Sequence, residues 1–156
     1  MQINLVAVGT RMPDWVKQGF DEYSRRLPQE CSLKLHEISP GQRGRSTPVA
    51  RAIADEGRRI DKAVPQSHLV VALDVQGSSW STEQLSEQLK RWLAGGRNLS
   101  LLVGGPDGLA DSCLQRAEQR WSLSPLTLPH PLVRIMVAEQ LYRAWSILSG
   151  HPYHRS

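Results

Sequence analysis

Four groups of side chains have the types and spacing to do chemistry. The run Leu128-Pro129-His130-Pro131 puts an imidazole at the mouth of a prospective helix, where free amides and partial positive charge favour anions. Taken alone, that histidine reads equally well as a mediocre helix cap. Gly104-Gly105-Pro106-Asp107-Gly108 follows an apolar run, and adjacent glycines there let a ligand approach the main chain with no side chain in the way. Proline and glycine also make ordinary tight turns, and the motif by itself favours that plainer reading. It is neither the spaced-glycine dinucleotide fingerprint nor a P-loop, since no Gly-Lys-Ser/Thr follows. Glu139 and Arg143 stand four apart in an otherwise apolar stretch. An intrahelical ion pair would explain them, but charges in such a setting call for a further reason. His151, Tyr153, His154 and Arg155 form a set able to stack on a base and contact phosphate, or a solvated terminus. No cysteine or clustered carboxylate completes a metal site around them, so no metal is expected.

These groups need elements to hold them. Ile3, Leu5, Val6 and Val8 make a short β-rich run ending at Gly9. Trp15, Gly19, Phe20, Tyr23 and Leu27 recur at helical spacing until Pro28. Leu33 to Ile38 alternates as a second strand, and the loop PGQRGRSTP follows from Pro40 to Pro48. A helix is expected from Val49 to Val64, with Ile53 and Ile60 facing inward and Arg51, Arg58 and Arg59 exposed. Leu69 to Leu73 and Leu99 to Val103 are continuous, partly β-branched runs, which fits central parallel strands buried on both faces. Between them, Ser81 and Gln84 have capping-box spacing, Leu85, Leu89 and Trp92 form a stripe, and Gly95-Gly96 stops the helix. Asp111 is placed to cap a short helix through Leu114 and Ala117. Trp121 to Leu128 alternates as a strand that Pro125 must break into a loop.

The last helix, His130 to about Leu148, is apolar on nearly its whole circumference. It must therefore be covered on more than one side, by the rest of the chain or by a second subunit. The terminal HPYHRS is expected to be exposed or semi-ordered. Strands alternating with helices give an α/β sandwich with a mostly parallel sheet, and ligands of such sheets bind beyond the carboxyl ends of the strands. Here those ends are Leu73-Asp74, the Gly104–Gly108 stretch, and the run from Leu123 toward His130.

Composition narrows the class further. A chain of 156 residues, 40% hydrophobic, suits one domain with a core of its own. The excess of 19 Lys and Arg over 15 Asp and Glu, +4 net, permits a polyanionic partner without requiring one. Cys31 and Cys113 are far apart and lack a CxxC partner, as reduced cytoplasmic thiols would be. The amino end has no basic segment leading into a long apolar run, so no secretion signal is expected, and no stretch has the length of a membrane span. The expectation is a soluble, cytoplasmic protein.

The segments LVAVGTRMPDW, LLVGGPDGL, WSLSPLTLPHPLVRIMVAEQLYRAWSI and HPYHR together give a chain that closely resembles the RlmH-type ribosomal large-subunit pseudouridine N3-methyltransferases. These are the minimal members of the SPOUT, or trefoil-knot, class, and the likeness spans essentially the whole chain. It implies a single SPOUT domain over residues 1–156, with a parallel sheet between helices and a carboxyl-terminal deep trefoil knot, a rare exception to unknotted topology. It also implies S-adenosyl-L-methionine bent within the three strand-exit loops, contacted by Leu73, Gly104, Leu123, Ser124, Pro125, Leu126, Thr127 and Leu128, with Gly105 a close neighbour. A homodimer with its active site near the subunit boundary is implied, and so is a substrate: the pseudouridine-bearing stem-loop of 23S rRNA at the ribosomal subunit interface, on the assembled ribosome. Transfer of a methyl group from sulfur to a weakly acidic ring nitrogen needs alignment and help with the N3 proton. His130 is the first candidate for that base or for orienting it. Asp107, Glu139 and Arg143 are supporting polar groups, and Tyr153, His154 and Arg155 would hold the RNA, reaching across the dimer.

Two other classes remain open on the residues alone. A nucleotide- or phosphate-binding α/β protein would use the glycine turn as an anion loop and prefer nucleotides over S-adenosylmethionine. A non-enzymatic ribosome-associated factor would use Arg43, Arg45 and the basic tail, binding ribosomes in a salt-dependent way without transferring a methyl group.

Overall fold

A computed structural model of the chain, described over residues 1–155, alternates strands and helices. They are β1 (Gln2–Val8), α1 (Asp14–Ser24), β2 (Ser32–Ile38), α2 (Val49–Ala63), β3 (Leu69–Ser79), α3 (Thr82–Gly95), β4 (Leu99–Val103), α4 (Asp111–Arg116), β5 (Gln119–Ser122) and α5 (His130–Ser149). The strands form a sheet in the order β2-β1-β4-β3-β5, and every pairing is parallel. All carboxyl ends therefore open at one edge.

Strand alternation sorts the core into two layers. Ile3, Leu5 and Ala7 of β1, with Leu99, Leu101 and Val103 of β4, meet Phe20 of α1, Leu85, Leu89 and Trp92 of α3, and Val137, Ala138 and Leu141 of α5. On the opposite face, Val6, Val8, Val70 and Leu102 meet Ile60 of α2 and Cys113 of α4. The continuous apolar runs in β3 and β4 follow from this double covering. The buried polar residue Ser100 on β4 lies 2.9 Å from the His68 ring through its hydroxyl. Both cysteines are buried free thiols, and burial pushes Cys31 up to about 11.

The local signals at α3 behave as the sequence dictates. Gln84 N donates to Ser81 Oγ at 3.1 Å, Ser81 N donates to Gln84 Oε1 at 2.8 Å, and Gly96 ends the helix at φ 72°. Elsewhere the structure departs from expectation for identifiable reasons. Helix α1 stops at Ser24, and Leu27 is buried in the turn that follows, with its N–H on Ser24 O at 3.2 Å. Ala110, not Asp111, occupies the N-cap of α4, and Asp111 lies in the first turn without a capping bond. Strand β3 continues past Leu73, because residues 74–77 loop out and pairing with β5 resumes at Ser78.

Strand β5 ends at Ser122, before Pro125 is reached. There Ser122 Oγ donates to Ser124 O at 3.3 Å and Leu126 N donates to Ser124 Oγ at 2.9 Å, local bonds that compete with a ladder. Of the terminal HPYHRS, His151, Pro152 and Arg155 are exposed as expected, Tyr153 and His154 are half-buried, and Ser156 lies outside the described residues. Pro152–Arg155 forms a 3-10 turn against α5, and the Tyr153 ring sits 4.6 Å from that of Tyr142.

Helix α5 is covered by α1 on one side and α3 on the other. It buries Val137, Ala138, Leu141, Tyr142 and Ala144 while leaving Leu132 exposed. Among the described residues, no helix is long and apolar enough to cross a membrane.

Candidate active site

Strands β4, β3 and β5 are neighbours, so their exit loops meet. Together they enclose a cavity of about 780 Å³ lined by residues 73–76, 103–109, 123–124 and 126–130, with Leu114, Arg120, Trp121 and Val133. Leu73, Gly104, Gly105, Leu123, Ser124, Leu126, Thr127 and Leu128 all lie on its wall; Pro125 is in the same loop but is not part of the lining. The volume is in the range of small-molecule sites, about 300–1,000 Å³.

Each loop is fixed by its own chemistry. Gly108 N donates to Gly105 O at 3.0 Å, closing the turn, and Gly108 takes a positive φ of 85° that suits glycine. A Cβ on Gly104 would sit 2.4 Å from Gly108 C and 2.6 Å from Leu109 N, so the two ends of the turn touch there. Past β3, Gln76 N donates to Asp74 Oδ1 at 3.1 Å. The glycine motif is thus a tight turn and a cavity wall at once.

His130 opens α5 behind Pro129 and lines the cavity. Burial lowers its pKa below the usual 6.5, and the Arg134 cation adds to this. The carbonyls of Gly105 and Gly104 and the Glu56 carboxylate pull the other way. Nδ1 is buried without a hydrogen bond. The ring is therefore neutral near pH 7, as a proton acceptor must be.

Arg134, one turn on, is 1% exposed. Its Nη1 donates to Glu37 Oε2 at 2.7 Å and its Nη2 to Gly9 O at 2.8 Å, tying the start of α5 to the exits of β1 and β2. Glu56 of α2, 2% exposed, lies behind Gly105 and accepts from Gly41 N at 2.8 Å and Arg43 Nη1 at 2.7 Å. Arg43 Nε also donates to Asp107 Oδ2 at 2.9 Å on the cavity rim.

A fold of this kind with a closed glycine turn at its switch edge matches known proteins. Residues 1–154 match the family model described as "Predicted SPOUT methyltransferase". The chain belongs to the SPOUT methyltransferase family. It is 60% identical over 155 residues to the ribosomal RNA large subunit methyltransferase H of Methylococcus capsulatus, covering 99% of this chain and all of that one. Its fold is similar to that of a probable methylase family protein from Haemophilus influenzae, with TM-score 0.60 and 13% identity over 97% of this chain and 69% of the other. A methylase family protein from Neisseria gonorrhoeae gives TM-score 0.54 and 12% identity over 90% and 81%.

In this SPOUT methyltransferase, not every candidate residue gathers at the cavity. Glu139 lies nine residues beyond His130, roughly 13 Å along the helix axis, and neither it nor Arg143 lines the cavity. Glu139 Oε1 accepts from Arg143 Nη2 at 2.6 Å and from the Tyr153 hydroxyl at 3.0 Å. Arg143 also stands over the Tyr153 ring at 4.9 Å. Burial, then the bond to Glu139, pushes the Tyr153 phenol up to about 12. His154 is half-buried and Arg155 exposed in the same turn. Among the described residues, no group of three or more His, Cys, Asp and Glu gathers to hold a metal.

Arg134 and Glu56 are not among the candidates that the motifs single out, although the sequence carries a signal for each. Arg134 is a further charge inside the apolar helix, four residues after His130. Glu56 shares the inward helical spacing of Ile53 and Ile60.

Proposed function

We propose that the chain is a cytoplasmic, S-adenosyl-L-methionine-dependent methyltransferase that methylates N3 of a pseudouridine in the intersubunit stem-loop of 23S rRNA, on the assembled ribosome, as a homodimer of single domains spanning residues 1–156. The observation that carries this is the convergence of Leu73, the glycine turn and the 123–128 loop on the cavity that His130 lines, in a chain 60% identical to a ribosomal RNA methyltransferase.

The cavity suits the cofactor chemically. The turn lacks side chains where Gly104 packs on Gly108, leaving main-chain donors and acceptors for an adenosyl group, and Leu73, Leu123 and Leu128 supply apolar surface. S-adenosylmethionine supplies a methyl group on a sulfonium centre. The loop residues would bind and orient it and their enclosure would exclude water; His130 would take the N3 proton while the carbon–nitrogen bond forms and the carbon–sulfur bond breaks, leaving S-adenosylhomocysteine. Glu139, Arg143, Tyr153, His154 and Arg155 are assigned to the RNA side, presented to the cavity of a second copy.

Exposed Trp15, Leu132, Val75 and Leu126 support a dimer interface near this edge, which light scattering tests. The carboxyl-terminal trefoil knot belongs to the same reading, supported by family membership and by α5 lying between α1 and α3. Mechanical pulling tests it: a knotted chain extends to less than the contour length of its 156 residues.

The test of function is methyl transfer from labelled donor to ribosomes lacking the modification, with mass spectrometry of the stem-loop. Label on N3 of one pseudouridine supports the reading. Absence of transfer, or no affinity for S-adenosylhomocysteine, overturns it.

A further inference from the structure

The loop between β2 and α2 has no part in the cavity, yet it is held with unusual care. Gly41 packs so closely that a Cβ there would lie 2.4 Å from Ala52 O. Arg59 Nη1 donates to Ser39 O at 2.8 Å and Pro40 O at 2.9 Å. Arg43 spans from the buried Glu56 to Asp107 on the cavity rim. The tip then closes on itself, with Thr47 N donating to Gly44 O at 3.3 Å. A loop that only connected two elements would need none of this.

What the tip presents is cationic. Arg45 and Arg51 are exposed, one in the closed turn and the other in the first turn of α2. Most arginines of this chain are bound to a carboxylate, but among the described residues neither Arg45 nor Arg51 makes an ion pair or a side-chain hydrogen bond. Both stand at the carboxyl edge of the sheet, where the cavity opens. Arg45 is two residues from Arg43, so its backbone lies within about 7 Å of a residue that touches the rim. Of the acids at this edge, Asp107 is engaged by Arg43 and Glu37 by Arg134, and Asp74 lies 3.9 Å from Arg120, while Asp14 and Asp111 occupy the first turns of α1 and α4, where they complement the helix ends.

We propose that this loop is a rigid docking finger for the RNA substrate, with Arg45 and Arg51 contacting backbone phosphates beside the nucleotide that enters the cavity. The inference rests on the rRNA methyltransferase reading and adds to it a contact surface separate from the tail. A polyanion suits the geometry because an exposed guanidinium holds a lone phosphate only weakly, whereas two on one preorganised unit act together along a strand and release counterions.

The test uses the full chain with Arg45→Ala, Arg51→Ala, the double charge reversal Arg45→Glu/Arg51→Glu, and Arg91→Glu on α3 as a control. Binding to ribosomes lacking the modification is measured by co-sedimentation across a range of salt, S-adenosylhomocysteine binding by calorimetry, and methyl transfer separately. Each alanine variant should lower the slope of log affinity against log salt by about 0.7–0.9. The double reversal should weaken ribosome binding about tenfold or more, with cofactor affinity and Arg91→Glu binding unchanged.

Ribosome binding by the double reversal at wild-type strength overturns the finger. So does an equal loss in Arg91→Glu, which would reduce the effect to bulk charge, or a loss of cofactor affinity, which would mean that these arginines hold the fold. A wild-type chain that binds ribosomes through these arginines but transfers no methyl group refutes the enzyme reading and keeps the finger. Normal transfer with binding indifferent to them does the reverse.

Discussion

Gly104→Ala tests whether the glycine turn is the wall of the cofactor site. The added Cβ would meet Gly108 C at 2.4 Å, Gly108 O at 2.6 Å and Leu109 N at 2.6 Å. All three are backbone atoms, so no side chain can swing aside. Restoring ordinary contact requires the turn to move by roughly 1 Å, and overpacking of this kind costs about 1–3 kcal/mol. For a chain of this length that corresponds to a fall in melting temperature of about 2–4 °C per kcal/mol. The displaced turn also carries the wall of the cavity with it, and a misplacement of about 1 Å lowers a reaction rate on the order of 100-fold, which a methyl-transfer assay of the variant reads. Gly95→Ala is the matched control, since a Cβ there meets nothing within 4 Å and alanine favours the helix by about 0.5–1 kcal/mol. Thermal unfolding and calorimetry with S-adenosylhomocysteine read both variants. If Gly104→Ala binds the ligand as tightly as the parent and melts at the same temperature, the turn is neither tightly packed nor part of the site.

Three further perturbations follow from named contacts. His130→Ala should leave S-adenosylhomocysteine affinity within about twofold and lower the methyl-transfer rate about 10²–10⁴-fold; in the parent, a histidine held below 6.5 keeps the pH–rate profile flat through neutrality, with its acid limb below that value. His68 is also lowered, by burial first and then by the Arg116, Arg97 and His36 charges, so its neutral form favours the fold. Its contribution is complete above pH 6.5 and lost as pH falls through the lowered value, and His68→Gln should flatten the acid side of a melting-temperature profile. Arg43→Ala strands the buried Glu56 with Gly41 N alone, at a cost of about 3–5 kcal/mol for a broken buried pair. Adding Glu56→Gln should recover part of the lost melting temperature, and strict additivity of the two changes would refute their coupling.

Much of the frame could be read from periodicity because its causes are local. The capping box at Ser81 and the stop at Gly96 depend on neighbours within a few residues, and the double covering of β3 and β4 writes itself into each strand as an unbroken apolar run. The failures share a different cause. The end of β5 is set by serine side chains bonding back to the main chain, so Pro125 only follows a break already made. The loop-out of residues 74–77 depends on Gly77 meeting Arg120, where a Cβ would lie 2.6 Å from its carbonyl carbon, a contact between distant positions. The tail is ordered because Tyr153 finds Glu139 and Tyr142 on α5, and composition alone gives no hint of that docking. In the site, residues on strand exits were legible because a parallel sheet gathers all its exits at one edge. Glu56 and Arg134 were only half legible: their helical positions mark them as inward-facing, but each partner lies in another element, Arg43 in the loop before α2 and Glu37 on β2.

Helix α5 carries two polar groups that cannot serve the same cavity within one chain. His130 faces the glycine turn, while Glu139, Arg143 and Tyr153 bond to one another roughly 13 Å further along a rigid rod. A methyl transfer that needs both must therefore draw them from two copies, which makes the proposed homodimer part of the chemistry. Subunit mixing tests this directly. His130→Ala and Arg143→Ala, each inactive alone, should regain about one quarter of parental activity when mixed in equal amounts, because half of the randomly formed dimers hold one site with both groups intact. The recovered activity should vanish on dilution below the dimer dissociation constant. A mixture as inactive as its components, with heterodimers shown to form, would show that the two groups do not meet across the dimer and would remove the reason for it.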